Sequence, residues 1–367
     1  MISLKKPMID SSEIEAVMEV LKSGVVAQGP KVKMFEEKFS QKCGAKFGIA
    51  VNSGTAALHC ALHALKIGDG DEVICPSFSF ISSATPILMC GATPVFVDID
   101  AKTYNIDPLE LEKAINPKIK AIIGVNLFGR LADWEAINAI ASKHRIPTIE
   151  DAAQSHFAMR NSRVSGNFSD LSCFSFYATK NMMTAEGGMI VTNKVEHDEN
   201  CRRFRQHGMS GLGKYDYLDY GYNYRTTDLN AAIGLCQIEK IDTFNQRRIE
   251  IAKTYNHAFD KYSNILTPTS DYSGEHVYHL YTLGLPVNID RSKFISHMKE
   301  KGIACGVYYP EPLSELNVFK EAKKIGPMTN CKNASKSVVS IPCEPFMTDK
   351  EVDYVISSFL KFLDSRL

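Results

Sequence analysis

The sequence predicts an α/β protein in which a mostly parallel sheet lies between layers of helices. Seven short apolar runs recur through the first half of the chain, and several are separated by segments with helical periodicity. Most of these runs are almost entirely apolar, as in strands that helices cover on both faces. Strands that alternate with helices in this way are typical of a parallel sheet. The predicted strands are residues 47–51, 72–75, 94–98, 121–125, 147–149, 172–176 and 188–192.

Helices are predicted from capping residues and from the spacing of apolar side chains. An amphipathic run that follows Asp10 stops at Gly24, with a capping residue before it and glycine after it. Residues 55–65 and 133–143 also carry helical patterns between predicted strands. Each of these helices is short enough to connect neighbouring strands of one sheet.

The chain of 367 residues is too long for one small core. The sequence pattern changes near residue 245, where a long polar helix (244–259) leads to a loop rich in Ser, Thr and Asp (267–274). Shorter strands and helices then alternate to the end. We predict a large domain over residues 1–245 and a smaller C-terminal α/β domain over residues 246–367.

Composition excludes several classes of partner. The chain has 42 Lys and Arg against 42 Asp and Glu, so no overall positive field attracts nucleic acid or an anionic membrane. No signal-peptide pattern and no run of roughly 18 apolar residues is present, which predicts a cytoplasmic protein without a membrane segment. The ten cysteines form no C-x-x-C pair, so we expect reduced thiols and no metal site.

Polar residues directly after the apolar runs are the first candidates for a site, because open parallel sheets bind ligands at the carboxyl ends of their strands. Residues 53–55 could hold a phosphate at a helix N-terminus, although this motif by itself is more often a plain helix cap. Asp151 could pair with a cationic ring nitrogen, as in pyridoxal phosphate (PLP), or cap a helix. Lys180 is either a surface lysine or an amine nucleophile with a lowered pKa, and Phe80 is either core or a platform for a flat ring.

Other motifs fit poorly. Residues 208–215 nearly match a phosphate-binding P-loop, but Tyr215 replaces the hydroxyl residue that contacts magnesium. His59 and His63 could share a helix face, but Cys60 stands where a zinc protease has glutamate. The sequence contains no G-x-G-x-x-G, which argues against a nicotinamide cofactor.

Taken in order, the chain resembles the DegT/StrS family of nucleotide-sugar aminotransferases over nearly its whole length. The resemblance implies a fold-type I PLP-dependent aminotransferase, with a seven-stranded large domain, a small C-terminal domain and a homodimer that shares its active sites. The matching segments are SGTAAL at 53–58, GDEV at 70–73, GATPVFVD at 91–98, EDAAQ at 150–154, FSFY at 174–177, KN at 180–181 and GYNYR at 221–225.

The resemblance also implies roles for residues that match the family motifs. Lys180 is expected to bind the cofactor covalently, Asp151 to pair with the pyridine nitrogen, and Gln154 to lie near the ring hydroxyl. Phe80 and Ala153 are expected to cover the two faces of the ring. The phosphate is expected to contact Gly54, Thr55 and Ser175, with Asn223 contributed by the partner subunit.

The implied reaction transfers an amino group from L-glutamate, which becomes 2-oxoglutarate, to a nucleotide-linked keto-sugar, while PLP cycles with pyridoxamine phosphate. Tyr308, His156 and Arg225 are predicted substrate contacts. This chain departs from many relatives at Tyr308, where histidine is frequent, and at Phe157, where glycine is usual. Both positions are expected to border the sugar pocket.

The short connection from Lys180 to Gly187 resembles family members that aminate C4 of the sugar, so we predict a 4-keto-6-deoxyhexose acceptor in amino-sugar and surface polysaccharide (O-antigen) biosynthesis. A 3-keto-sugar acceptor remains an alternative. A PLP-dependent sugar dehydratase is a second alternative, although such relatives have histidine in place of Lys180. A non-catalytic regulatory member of the family is a third alternative.

Overall fold

The computed structural model describes residues 1–211, 213, 215–268 and 275–364. Within these residues, the α-helices are α1 (Ser11–Ser23), α2 (Pro30–Cys43), α3 (Gly54–Ala64), α4 (Thr85–Met89), α5 (Pro108–Ala114), α6 (Trp134–His144), α7 (Val195–Arg205), α8 (Asp228–Phe259), α9 (Arg291–Glu300), α10 (Thr329–Ser337) and α11 (Asp349–Asp364). The strands are β1 (Phe47–Val51), β2 (Glu72–Pro76), β3 (Thr93–Val97), β4 (Ile119–Val125), β5 (Thr148–Asp151), β6 (Met159–Arg160), β7 (Arg163–Val164), β8 (Leu171–Ser175), β9 (Gly188–Thr192), β10 (Tyr281–Gly284), β11 (Lys323–Lys324) and β12 (Val338–Ile341).

The central sheet has the strand order β1-β9-β8-β5-β4-β2-β3-β11. All seven predicted strands belong to it, and the neighbours from β8 to β11 pair in parallel. Strand β9 runs antiparallel to both β1 and β8. The predicted mostly parallel α/β fold is therefore confirmed. The edge strand β11 was not predicted, because its two exposed lysines carry no apolar pattern.

Helix caps form where the sequence predicts them. Asp10 accepts a hydrogen bond from the amide of Ser12, the carboxylate of Glu13 accepts one from the amide of Asp10, and Gly24 ends α1 with a φ of 74°. Ser53 caps α3 through a hydrogen bond from the amide of Ala56. The cap of α3 places the beginning of that helix directly after β1, at the edge of the sheet that forms the site.

Helix α8 contains 32 residues and runs through position 245, where the sequence predicts the domain boundary. From Ile251 onward, its apolar side chains pack in a separate core with α9, α11 and the β10–β12 pair. We propose that the large and small domains meet within α8, with the predicted division at residues 245 and 246 retained. Most of the predicted loop at 267–274 lies outside the described residues.

None of the helices in the described ranges combines the length and apolar character needed to cross a membrane. All ten cysteines are free, and most are buried in the cores.

Candidate active site

A cavity of about 730 Å³ opens at the carboxyl ends of the central strands. Nine predicted site residues line it: Gly54, Thr55, Phe80, Asp151, Ala153, Gln154, Ser175, Lys180 and Tyr308. Another cavity of similar volume, about 740 Å³, lies around Asp100 and Arg130 and includes none of the predicted site residues. The parallel strands thus bring residues far apart in sequence to one edge of the sheet.

The N-terminus of α3 forms one end of the cavity. A Cβ atom at Gly54 would lie 2.8 Å from the Cβ of Ser175, so only glycine allows the helix to approach the end of β8 this closely. Thr55 donates a hydrogen bond from Oγ1 to Oγ of Ser82 at 2.9 Å. The first amides of a helix have no acceptor within that helix, so this end of the cavity can bind an anion.

Asp151 is the last residue of β5, and its side chain is only 5% exposed. Its Oδ2 accepts a hydrogen bond from Oγ of Ser83 at 2.7 Å, and its Oδ1 accepts one from the amide of Ala153 at 3.2 Å. Burial raises the pKa of Asp151, while these hydrogen bonds and the charge of Lys180 act in the opposite direction. The carboxylate is therefore held rigidly in a site where a cationic partner would stabilise it.

Lys180 follows β8, and its amide closes a turn onto the carbonyl of Tyr177 at 2.8 Å. Burial lowers the pKa of Lys180 to about 8, and the Asp151 charge raises it again in part. More of this side chain is a neutral amine near pH 7 than in an ordinary lysine. It can therefore act as a nucleophile and as a proton carrier.

The aromatic side chains of Phe80 and Tyr309 line the same cavity as Asp151 and Lys180. Phe80 is 52% exposed and lines the cavity, so it is not a core residue, whereas nearby Phe78 is fully buried. The ring centroids of Phe80 and Tyr309 lie 6.1 Å apart. Gln154 accepts a hydrogen bond from the amide of Phe128 at 2.7 Å and donates one to the Tyr309 hydroxyl at 3.2 Å, which fixes its amide beside the cavity.

The structure does not place His156, a predicted substrate contact, in the wall of the cavity. His156 is fully buried, its Nε2 lies 2.9 Å from the carbonyl of Ser175, and its ring packs against Phe174 and Phe176. Burial lowers its pKa to about 3, so the imidazole is neutral. It contacts the last residue of β8 and does not line the cavity.

Phe157 does not border the cavity either. Its φ is 60°, a conformation that favours glycine and accounts for the glycine usual in relatives. Its ring packs against Phe39 at a centroid distance of 5.1 Å, and the Nζ atom of Lys42 lies 5.1 Å from the ring centroid. The side chain therefore contacts α2 and does not line the cavity.

Asn223 and Arg225 lie outside the cavity of their own chain. They belong to the extended segment before α8, where Arg225 pairs with Val51 and Asn223 pairs with Gln206. The Asn52 side chain donates to the carbonyl of Asn223 at 3.4 Å, and the Asn223 residue is exposed. A contribution of Asn223 to a partner subunit stays a prediction, as does the substrate contact of Arg225.

The residues of the cavity wall that were not predicted as site residues include Lys5, Ser83, His279 and Tyr309. The serines that follow Phe80 could have indicated Ser83 as a site residue, because they come after the end of a predicted strand. Lys5 and His279 are 274 positions apart, and no local pattern connects them.

The sequence profile of the DegT/DnrJ/EryC1/StrS aminotransferase family matches residues 7–360. The spore coat polysaccharide biosynthesis protein SpsC of Bacillus subtilis is 39% identical, over 96% of this chain and 94% of SpsC. The GDP-perosamine synthase of Caulobacter vibrioides is 35% identical, with 97% of each chain covered. The structure of Spr1654 from Streptococcus pneumoniae in its PLP form superposes with a TM-score of 0.93 and 30% identity, covering 100% of this chain and 99% of Spr1654. The chain therefore belongs to the DegT/DnrJ/EryC1/StrS aminotransferase family and is a PLP-dependent aminotransferase.

Proposed function

We propose that this aminotransferase moves an amino group from L-glutamate to C4 of a nucleotide-linked 4-keto-6-deoxyhexose, in amino-sugar and surface polysaccharide biosynthesis. The observation that carries the proposal is the position of Lys180, an amine of lowered pKa, in one cavity with the buried carboxylate of Asp151. Support for a sugar acceptor comes from SpsC and the GDP-perosamine synthase, whose names concern polysaccharide and an amino sugar. The short turn between Lys180 and Gly187 supports C4.

The residues around the cavity fit PLP by their chemistry. The close approach of Gly54 to Ser175 leaves the first amides of α3 facing an anion site, which suits the phosphate. Asp151 offers a buried acceptor to the protonated ring nitrogen. When bound, the cofactor supplies a carbonyl group for the amine and a ring that stores electrons.

Asp151 keeps the pyridine nitrogen protonated in this proposal. An ionised carboxylate in a buried site is costly, and a cation at its oxygen atoms offsets that cost. Ser83 holds the carboxylate in place, and Ser79 can in turn donate to Ser83 at 2.7 Å. The hydrogen bonds fix the carboxylate before any ligand arrives.

Lys180 acts in the proposal first as the nucleophile and then as the base. Its Nζ takes a proton from the α-carbon of the amino donor, and it returns a proton to the sugar carbon in the second half of the reaction. A pKa of about 8 suits both steps, because each protonation state is accessible near neutral pH. One amine therefore serves both substrates in turn, which gives ping-pong kinetics.

Gln154, Phe80 and Ala153 are proposed to position the ring. The amide of Gln154 is fixed by Phe128 and Tyr309, so it can donate to the ring hydroxyl without losing side-chain freedom. Phe80 lines the cavity with half of its surface exposed, as a residue that covers a ring face requires. Tyr308 and Arg225 remain proposed substrate contacts.

The proposed assembly is a homodimer in which Asn223 completes the phosphate site of the partner subunit. Exposed aromatic side chains, including Tyr217, Tyr220 and Tyr222, lie beside Asn223 in the sequence. Tyr222 stacks on Tyr224 with a centroid distance of 4.9 Å. An exposed aromatic surface of this kind is typical of protein interfaces. A cytoplasmic location is part of the proposal and agrees with the free cysteines.

The function is tested by incubating the PLP-loaded protein with L-glutamate and a panel of nucleotide-linked 3-keto and 4-keto deoxysugars, followed by mass spectrometry. We expect an aminated product from 4-keto compounds, together with 2-oxoglutarate. Turnover of only 3-keto compounds would contradict the C4 assignment. A dehydrated sugar would favour the dehydratase alternative, and PLP binding without any turnover would favour the regulatory one.

A further inference from the structure

A second lysine lines the same cavity as Lys180. The Nζ atom of Lys5 lies 2.6 Å from Nε2 of His279 and 5.7 Å from the centroid of the Tyr308 ring. All of these residues contribute to the cavity wall. Lys5 and Lys180 are the two lysines among the described residues of this wall, and Lys5 has no role in the chemistry proposed above.

The N-terminal segment holds Lys5 in place from both sides. The amide of Ile2 donates to the carbonyl of Gly302 at 2.8 Å, and the carbonyl of Ile2 accepts from the amide of Ala304 at 3.0 Å. On the other side of Lys5, the carbonyl of Met8 accepts a hydrogen bond from Gln237 at 2.7 Å. Lys5 is therefore placed by paired backbone on either side.

His279 presents a lone pair to Lys5. The side-chain amide of Asn245 donates to the carbonyl of His156, so its oxygen accepts from Asn181 at 2.9 Å. The oxygen of Asn181 then lies 3.1 Å from Nδ1 of His279, which must carry the proton. Nε2 is consequently the acceptor, and Lys5 is the donor.

Lys5 lacks an anion at contact distance. In the described part of the chain, no carboxylate lies within 4.0 Å of its Nζ, and the nearby Glu344 contacts Arg248 at 3.3 Å. Burial and the charge of Lys180 lower the pKa of Lys5, whereas Glu344 raises it. A negatively charged ligand that enters the cavity would raise the pKa of Lys5 and stabilise its charged form.

A charged Lys5 beside Lys180 fits the geometry of an amino acid better than the geometry of a nucleotide-linked sugar. The α-carbon of the donor carries both the reacting nitrogen and a carboxylate, so a carboxylate must lie close to the reacting amine. In a nucleotide-linked sugar, by contrast, the pyranose ring separates the reacting carbon from the diphosphate. The charge near Lys180 is therefore suited to the carboxylate.

We propose that Lys5, positioned by His279, binds the α-carboxylate of the amino donor and of the 2-oxo acid that it becomes. This inference rests on the proposed transfer from an α-amino acid and assigns the donor site within the cavity. The same cation then serves only one half of the reaction. The keto-sugar enters after the 2-oxo acid leaves, and its binding should not depend on Lys5.

The test compares Lys5→Met and Lys5→Arg with Lys6→Met, which removes the same charge from the exposed neighbour.

Binding of glutarate, a dicarboxylate without an amine, is measured by calorimetry on the PLP-loaded enzyme. The half-reaction with L-glutamate is measured by the loss of visible absorbance. We expect Lys5→Met to raise both the Kd of glutarate and the apparent Kd of L-glutamate about 10-fold to 100-fold, as for loss of a hydrogen bond to a charged group. Lys5→Arg should retain part of the affinity, and Lys6→Met should match the wild type.

The keto-sugar provides the second arm. Its affinity for the pyridoxamine form should be the same in Lys5→Met and in the wild type. Unchanged glutarate and L-glutamate affinities in Lys5→Met would overturn the proposal, and so would a loss confined to the nucleotide sugar, which would assign Lys5 to the diphosphate. Wild-type enzyme that binds no glutarate would also overturn it. Melting temperatures show whether each variant folds. If Lys5→Met does not fold, Lys5→Arg is compared with the wild type instead. Failure of the wild type to aminate any keto-sugar would contradict the proposed function, whereas a difference among the variants concerns Lys5 alone.

Discussion

The carboxylate of Asp151, at the end of β5, raises the pKa of Lys180, which follows the neighbouring strand β8, against the larger lowering effect of burial. The parallel pairing of these strands brings the two side chains into one cavity although they are 29 positions apart. The acid and the amine are therefore linked electrostatically through the sheet.

Removing the amine should abolish the reaction. Lys180→Ala should lower kcat by about 10³-fold or more and eliminate the visible absorbance of covalently bound cofactor, because the nucleophile and the proton carrier are lost together. Lys214→Ala, in the P-loop-like segment and outside the described residues, is the control and should remain active. Activity retained by Lys180→Ala, or lost only in Lys214→Ala, would contradict the assignment.

The pH dependence of cofactor capture reports on the same amine. Lys180 must be unprotonated to bond PLP, and burial lowers its pKa to about 8. The rate at which the cofactor-free protein captures PLP should therefore rise with pH and level off above an inflection near pH 8. In Asp151→Asn the inflection should move to lower pH, because the charge that raises the pKa is gone. A wild-type inflection near 10.5 would show that burial does not perturb Lys180. Stopped-flow absorbance measures the rate.

Ser83 should position Asp151 without contacting the substrate. Ser83→Ala removes a 2.7 Å hydrogen bond to a buried carboxylate, and we expect kcat to fall about 10-fold. Asp151 should also titrate at a higher pH, which would move the acidic limb of the kcat profile upward. Ser142→Ala, at an exposed position of α6, is the matched control. A purely structural role for Ser83 would lower the melting temperature and leave the pH profile unchanged.

The phosphate end of the cavity depends on glycine at position 54. In Gly54→Ala the new Cβ would lie 2.8 Å from Cβ of Ser175, so α3 must move away from β8. We expect PLP affinity to fall at least about 10-fold and stability to fall by about 1–3 kcal/mol. Gly68→Ala is the control, since a Cβ there meets no atom within 4 Å. Fluorescence titration and thermal unfolding measure the two effects. Equal PLP affinity in both variants would argue against a phosphate site at the N-terminus of α3.

The shared active site can be tested by mixing two inactive variants. If Asn223 acts in the partner's site, hybrids of Lys180→Ala and Asn223→Asp chains contain one intact site each. With equal amounts of the two chains, half of the dimers are hybrids, so about a quarter of all sites are intact. The mixture should therefore have about a quarter of the wild-type activity. Hybrids formed by refolding together would be inactive if Asn223 acts within its own chain. Light scattering on the wild type establishes whether it is a dimer.

The local sequence was sufficient for seven strands of the central sheet and for some of the helices of the large domain. Apolar runs, caps and turn residues depend on neighbours a few positions away, so the seven strands and the cap of α3 at Ser53 could be predicted. The family resemblance then predicted nine residues that line the cavity. It also predicted His156, which instead faces the core, because sequence proximity to Asp151 does not fix the direction of a side chain in a loop.

The sequence by itself determined the α/β class, the strand ends that carry the site and the pair of Asp151 and Lys180. Only the tertiary structure decided which side chains complete the cavity. Lys5 meets His279 across 274 positions, and β11 joins the large sheet from beyond the predicted boundary. Glu150 and Asp151 are adjacent, yet Glu150 bonds to Ser172 in the core while Asp151 faces the cavity. The physical reason is that periodicity and capping act between near neighbours, whereas these contacts depend on how distant segments pack against the finished sheet.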